Sequence, residues 1–470
     1  MNVVLVVFDS WRKDCIGCYG RSPFGWKVAT PNLDELARES LVFDRMYPES
    51  LPTLPTRRAL YTGRRVYPFH NGDFRLRGDF VGAPGWGPIP EDQDTLAEML
   101  KAAGYRTGLI ADVYHMFKPS KNYWRGFDQW TFLRGQEVDP SRSGPEPSEE
   151  LIRRYLPVEL EQTHPGRRQF VIVFLKNMYD RVREEDYFNA RVMLESARWL
   201  EQNRDAKKFF LVAESFDPHE PWFVPEHYRR MYDDSDGPEQ VISSYSSGVL
   251  GEQLLRRTQA NYSGLATMCD RWFGHLYQTL RVLGRLEDTV LIFTTDHGHS
   301  IGEVGYMGKR GYPSHPGVYD VPLFIRHPQG LGAGQRSNLL LQHTDVSAQI
   351  LQFAGVEPPA GLHGRCFFQA ALDGGQPIRD HVTVGWGSAV TVIDDRWWLN
   401  CKVDGSGVLL HDLKAQEPFQ ASVADANRPV VRRLFQAALA DAGGTIPEWL
   451  LDVAKKQTDA PGCSALAARE

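Results

Sequence analysis

The sequence predicts a mainly parallel α/β sheet covered by helices, followed by a small C-terminal α+β subdomain. Three features predict this fold class. Short runs rich in β-branched and aromatic residues alternate with stretches of helical periodicity. Acidic residues stand directly after two of those runs, where an open parallel sheet has its ligand-binding edge. Near residue 375 the pattern changes to closely spaced segments of antiparallel character.

The first run, Val3–Phe8, is continuously apolar, as a strand buried on both faces should be. It has no basic region ahead of it and meets Asp9 at once, so it reads as a strand and not as an export signal. Gly82–Pro90 and Pro140–Pro147 read as surface loops. Leu96–Ala103 and Ala190–Asn203 carry apolar residues at three- and four-residue spacing, as sheet-covering helices do. Phe170–Phe174, Phe209–Ala213, Thr289–Thr295 and Val321–Arg326 are expected as further strands.

After Leu372-Asp373-Gly374-Gly375, the segments Val382–Val384, Ala389–Asp394 and Trp397–Val403 read as antiparallel strands. A helix is expected around Arg428–Ala440, and a frayed tail beyond Lys455. The expected division is a main α/β domain over 1–375 and a subdomain with a small antiparallel sheet and a helix over 376–470.

Hydrophobic residues at 42% and charged residues at 24% fit a folded, water-soluble chain. A net charge of -6 argues against a nucleic-acid surface, and no run has the apolar length of a membrane span. Six cysteines include the pair Cys15-Ile16-Gly17-Cys18, but no second close pair completes a zinc site. Reduced structural thiols, among them Cys463, suit a cytoplasmic enzyme.

Candidate chemistry begins with Asp9 after the first strand and Asp296-His297 after Thr289–Thr295. Two carboxylates and an imidazole offer a plausible donor set for Mn²⁺, Zn²⁺ or a related dication, although acids that end strands are also ordinary turn formers. In Ser50-Leu51-Pro52-Thr53-Leu54-Pro55-Thr56-Arg57, Pro55 sits where a helix can start and Arg57–Tyr61 form its body. Thr53 would then lie near a helix N-terminus, which favours an anion. A bare threonine hydroxyl is a poor nucleophile, and contact with a dication lowers its pKa. Read without that chemistry, Thr53 is an ordinary helix cap, His219 a loop histidine between two prolines, and Lys309 a solvated lysine.

Thr53-Leu54-Pro55-Thr56-Arg57, followed by Leu60-Tyr61-Thr62-Gly63-Arg64, resembles the sulfatase signature Cys/Ser-x-Pro-Ser-Arg with its trailing Leu-x-Thr-Gly-Arg. Asp9 with Gly17-Cys18-Tyr19-Gly20 is similar to the opening block of that family, which also accounts for Cys18 without a redox role. Phe216-Asp217-Pro218-His219-Glu220-Pro221-Trp222, Asp288–Gly298, Gly308-Lys309 and Leu410-His411-Asp412-Leu413 resemble later blocks, in family order. The resemblance to the alkaline phosphatase and sulfatase superfamily implies the alkaline-phosphatase-like α/β sandwich, with 1–375 as the catalytic domain. It implies Asp9, Asp296 and His297 as metal ligands, with Thr53 as the metal-bound nucleophile. Arg57, His219 and Lys309 would bind the transferred oxyanion or protonate the leaving group. His315, in the loop after Lys309, is a further candidate for protonation or a second metal. No organic cofactor site is assigned.

Four departures from the family pattern shape the expected function. Threonine cannot be oxidised to formylglycine as Cys or Ser can, so water must attack the transferred centre, which phosphorus tolerates readily. Ser10 stands for a second Asp and His297 for an Asn, which shifts preference towards Mn²⁺ or Zn²⁺ over Ca²⁺ or Mg²⁺. The family's Gly-Lys-Trp-His block is replaced by Ala111-Asp112-Val113-Tyr114-His115, with an acid for the lysine. Asp112 or His115 then become candidates for a cationic substrate group. Asp217, His219, His315 and His343 lack the spacing of a second metal set, so one metal is expected.

The expected function is hydrolysis of small-molecule phosphodiesters or phosphonate monoesters. The alternatives are a sulfatase acting without formylglycine and, further out, a binding protein on the same fold. Trp11, Trp86, Tyr123-Trp124, Trp130 and Trp222 are expected as core or as lining for an organic group. Neither nucleic acid nor membrane is expected as a partner, and a homo-oligomer is compatible with the family.

Overall fold

A computed structural model describes residues 1–70, 79, 81–247, 250–374 and 376–460. Residue 375, at the expected domain boundary, Cys463 and the end of the expected frayed tail lie outside the described residues. The strands are β1 (Asn2–Phe8), β2 (Leu41–Tyr47), β3 (Arg106–Ala111), β4 (Gln129–Phe132), β5 (Phe209–Ser215), β6 (Thr289–Thr295), β7 (Ser300–Ile301), β8 (Met307–Gly308), β9 (Val321–Arg326), β10 (Arg336–Ser337), β11 (Leu341–Gln342), β12 (Val382–Trp386), β13 (Ala389–Ile393), β14 (Trp397–Lys402) and β15 (Leu409–Asp412).

A nine-stranded sheet runs in the order β10-β2-β9-β6-β1-β5-β3-β4, with β11 also paired to β2. Pairings among β6, β1, β5, β3 and β4 are all parallel, and β9 runs antiparallel to both of its neighbours. The expected mainly parallel sheet is present.

Alternation along β1 divides the core. Val4, Val6 and Phe8 face one layer with the Phe188–Gln202 and Glu252–Val282 helices, while Val3, Leu5 and Val7 face the other. That second layer contains the Thr53–Thr62, Leu96–Ala102 and His343–Ala354 helices. Each fully buried aliphatic or aromatic side chain contributes about 1.5–3 kcal/mol, so β1, buried at every position, anchors both layers.

One expected strand is a helix, and several strands of the large sheet were not expected. Phe170–Phe174 lies inside a helix, Gly166–Met178, not a strand. Its buried residues Phe170, Val171, Phe174, Leu175 and Met178 recur at helical spacing, and a short apolar run alone does not reveal that periodicity. With the Glu149–Tyr155 and Val158–Thr163 helices it forms a separate small core against Val241 and Ile242. β3 and β4 were not expected, nor was β2, whose apolar run Asp44 and Arg45 interrupt. Those residues fall at a register shift between Phe43 and Met46.

The C-terminal sheet, β12-β13-β14-β15, is antiparallel and packs against the Arg428–Asp441 helix. It also braces the segment ahead of Thr53: Leu51 N–H donates to the Gly385 carbonyl at 2.8 Å, and Gly385 N–H to that of Glu49 at 3.0 Å. Among the described residues no helix is long and apolar enough to cross a membrane.

Asp270 caps the N-terminus of the Pro31–Arg38 helix, accepting from the Asn32 and Leu33 amides at 3.1 and 2.8 Å. Burial pushes its carboxyl up to about 6, against the hydrogen bonds from Leu33 and Asn32. The folded state therefore holds this proton more tightly than the unfolded chain, and stability falls as pH rises from about 4 to about 6. Relative to Asp270→Asn, the wild type is expected to lose about 3 kcal/mol between pH 4 and 7, at ~1.4 kcal/mol per pKa unit. Denaturant unfolding of both proteins across that range checks this, and a pH-independent difference refutes it.

Candidate active site

The site forms where β1, β5 and β6 end together. Phe8 is paired with both Ser215 and Thr295, so Asp9 and Asp296 leave adjacent strands at the same height. Asp9, Asp296 and His297 each place a donor atom within 4.8 Å of the others, and all three are buried. Ser10, at φ 61°, sets both acids: its hydroxyl donates to Asp9 Oδ1 at 2.9 Å, and its N–H to Asp296 Oδ1 at 3.0 Å. The turn is equally constrained beyond His297. A Cβ on Gly298 would stand 2.0 Å from the Gly317 carbonyl oxygen, so this position requires glycine.

His297 Nδ1 lies 2.9 Å from the Gly298 carbonyl, which only accepts, so Nδ1 carries the proton and Nε2 the lone pair. Burial and then the charge of Lys309 lower the pKa of this ring well below its ordinary value, which keeps it neutral. Nε2 lies 3.3 Å from Thr53 Oγ1 and 3.4 Å from Asp296 Oδ2. Two carboxylates and a neutral imidazole whose lone pair meets a hydroxyl fit the donor set of a divalent cation.

Thr53 is the first residue of its helix, two positions earlier than Pro55 suggests. The whole helix is buried. Thr56 Oγ1 donates to the Ser50 carbonyl at 2.6 Å, and the Tyr123 hydroxyl to that of Leu54 at 2.7 Å, fixing the turn that carries Thr53. Pro55 has no N–H, so the first-turn amides left without intrahelical partners are few and close to Thr53.

Arg57, one turn along, is fully buried among three carboxylates. Its Nη1 donates to Asp9 Oδ2 at 2.9 Å and Asp296 Oδ2 at 2.6 Å, and its Nε to Glu214 Oε2 at 2.9 Å. Burial opposes its charge, yet Glu214, Asp296 and Asp9 raise its pKa well above the ordinary value. Nη2 has no hydrogen-bond partner among the described residues.

Glu214 was missed in the sequence. It continues the inward row Phe210, Val212 on β5, and an acid closing such a buried row is the signal that reveals it. The Tyr61 hydroxyl donates to its other oxygen at 3.1 Å. Burial pushes its carboxyl up, while the Arg57 charge opposes that rise.

His219 and Lys309 meet as a pair, with Lys309 Nζ 2.6 Å from His219 Nε2. The backbone before Lys309 has φ 125° at Gly308, where a Cβ would stand 2.8 Å from the Tyr245 ring. A second group, Glu137, His219 and Glu220, also brings donor atoms within 4.8 Å, but the Lys309 ammonium already supplies a cation there.

The remaining candidates are otherwise engaged. Asp112 and Asp217 both accept from Gln136 Nε2, at 3.0 and 2.9 Å, and burial followed by the Asp217 charge raises the Asp112 pKa well above the carboxylate range. Asp112 is thus engaged with a second buried carboxyl through Gln136. His115 Nε2 lies 3.3 Å from Glu137 Oε2, which also accepts from Tyr114 at 2.6 Å. His315 Nδ1 accepts from Gly317 N–H at 3.1 Å and caps a short helix. His343 Nε2 donates to the Thr295 carbonyl at 2.8 Å, and burial lowers its pKa to about 4. Trp11, Trp86, Tyr123 and Trp222 are core, whereas Trp124 and Trp130 are 38% and 46% exposed.

Known proteins share the family and the fold of this chain. The family model described as Sulfatase matches residues 1–356. The chain is 27% identical over 416 residues to the multifunctional alkaline phosphatase superfamily protein PehA of Trinickia caryophylli, covering 79% of this chain and 77% of that one. It is 24% identical over 411 residues to an arylsulfatase of Clostridium perfringens, covering 81% and 80%. The phosphonate monoester hydrolase of Agrobacterium radiobacter shares the fold, with a TM-score of 0.70 at 24% identity over 94% of this chain and 95% of that one.

Proposed function

The chain belongs to the sulfatase family of the alkaline phosphatase superfamily and is a hydrolase of that family; from this premise we propose that it cleaves small-molecule phosphodiesters or phosphonate monoesters with Thr53 as nucleophile. The observation that carries this reading is a threonine hydroxyl, not a cysteine or serine, at the helix start 3.3 Å from His297 Nε2. A threonine ester has no exit by elimination to an aldehyde, so turnover requires water to attack the transferred centre. Phosphorus accepts two successive in-line attacks readily.

Asp9, Asp296 and His297 would hold one divalent metal ion beside Thr53, and its charge would favour the alkoxide and offset the oxyanion. The imidazole in this donor set favours Mn²⁺ or Zn²⁺ over Ca²⁺ or Mg²⁺. Thr53 Oγ1 attacks the ester centre and becomes esterified. Arg57 Nη2, the donor left over from its carboxylate contacts, is suited to a transferred oxygen. His219 and Lys309 protonate the departing oxygen. Water then releases the product and restores Thr53.

Relatives named for sulfate esters support a second reading, a sulfatase that acts without formylglycine. The test is kcat/KM on aryl phosphodiester, phosphonate monoester, phosphate monoester and aryl sulfate, with Mn²⁺ or Zn²⁺ and after chelation. Phosphodiester or phosphonate turnover is expected to exceed sulfate turnover by about 100-fold or more, equivalent to ~3 kcal/mol in the barrier, and to vanish on chelation. Preference for the sulfate ester overturns the phosphorus reading.

A further inference from the structure

The pairing of His219 with Lys309 leaves open what holds this pair in a proton-donating state. His219 Nδ1 lies 2.6 Å from the Glu220 carbonyl oxygen, which only accepts, so Nδ1 carries a proton. Nε2 then presents its lone pair to the Lys309 ammonium at 2.6 Å. The ring is clamped from its face as well, stacked on Phe216 with centroids 4.1 Å apart.

The side chain of Glu220 closes the same arrangement. It is 1% exposed, and its Oε1 accepts from the Tyr245 hydroxyl at 2.8 Å. Its Oε2 has no hydrogen-bond partner among the described residues and lies 3.4 Å from both His219 Nδ1 and His299 Nδ1. A buried carboxylate oxygen without a donor is costly unless nearby positive charge compensates it. Burial alone would raise this carboxyl, yet the positive charge shared by His219 and Lys309, with the Tyr245 hydrogen bond, holds it well below the usual carboxylate range.

We infer that Glu220 is a positioning residue whose carboxylate, beside a tautomer already set by its own backbone carbonyl, holds one positive charge on the His219–Lys309 pair, so that the two act as a single acid towards the leaving group. This rests on the reading of His219 and Lys309 as the leaving-group acid. When the ester bond to the leaving oxygen breaks, its electron pair stays on that oxygen. The oxygen takes the proton shared between Nε2 and Nζ, leaving a neutral imidazole and a neutral amine that solvent reprotonates. Tyr245 contributes by holding Oε1, which turns Oε2 towards the imidazole. It does so at φ 52°, a strained backbone for a tyrosine.

The experiment compares two esters of whichever class the enzyme hydrolyses, one with a 4-nitrophenolate leaving group and one with unsubstituted phenolate. Nitrophenolate departs without a proton; phenolate needs one. Glu220→Gln is expected to lower kcat on the phenyl ester about 100-fold and on the nitrophenyl ester less than about fivefold, with KM within about twofold. Glu220→Asp, which keeps the charge, is expected to recover part of the phenyl-ester loss, and thermal unfolding confirms that each variant is folded.

His219→Asn is measured alongside. If it shows the same contrast between esters while Glu220→Gln loses both equally or neither, the inference about Glu220 is overturned and the acid reading stands. If His219→Asn shows no contrast, the acid reading fails and the inference with it.

Discussion

Thr53→Ala is expected to lower kcat/KM by at least about 10⁴-fold on every ester the protein hydrolyses, because it deletes the nucleophilic atom of the first step in the proposed reaction. The effect should be specific to chemistry. Among the described residues the Thr53 hydroxyl approaches His297 alone as a hydrogen-bonding partner, at 3.3 Å, and the helix start is fixed by Thr56 and Tyr123. Thermal stability is therefore expected to change little, by about 1 kcal/mol for a lost hydroxyl contact. Thr53→Ser restores a hydroxyl at the same point and is expected to recover most of the activity. Rapid-mix trapping followed by mass measurement of the intact chain should show a mass increase from the esterified residue in the wild type and none in Thr53→Ala. A Thr53→Ala protein with full activity would mean that water attacks directly and that the covalent step is wrong.

The second large effect concerns Arg57. One guanidinium bridges Asp9, Asp296 and Glu214, all with fully buried side chains. Arg57→Met removes the charge and nearly keeps the volume, so three carboxylates face one another in a dry site. Breaking one buried ion pair typically costs about 3–5 kcal/mol, and three acceptors share this cation, so at least that loss is expected. Arg57→Lys should fall between the two, since a single ammonium lacks the planar fork that reaches strands β1, β5 and β6 at once. Saturating Mn²⁺ or Zn²⁺ is expected to restore part of the stability, because a cation bound only by the folded state adds stability by mass action. Unfolding midpoints with and without the cation give the answer. If Arg57→Met is as stable as the wild type in chelator, the carboxylates do not depend on the guanidinium.

The contrast between Arg57 and Lys309 shows how a motif residue acquires its role. The family resemblance offers both the same alternatives, binding the transferred oxyanion or protonating the leaving group. Arg57 is bound to protein carboxylates through Nε and Nη1 and has only Nη2 to offer, whereas Lys309 faces an imidazole. The site is accordingly a cluster of three acids around one arginine, with a separate His219–Lys309 pair beside it.

Much of this was legible along the chain because it depends on local order. An apolar run ended by an acid is a strand delivering a carboxylate to the sheet edge, and Asp9 and Asp296 are placed that way. Prolines around Thr53 and an arginine four residues on mark a helix start with a cation one turn further, and that helix is present. The antiparallel C-terminal strands could be read from their alternation and spacing.

What only the tertiary structure decided are the meetings across the chain. Arg57 and Glu214 are 157 residues apart, and His219 and Lys309 are 90 apart. No local pattern encodes those distances, because they follow from the order of strands in the sheet. Phe170–Phe174 shows the same limit on a smaller scale: a five-residue apolar run suits a strand or a helix, and packing against Val241 and Ile242 selects the helix. The sequence by itself determined which groups reach the sheet edge. Strand order and burial determined which of them touch, and so which charges are shared and which donors remain free for a substrate.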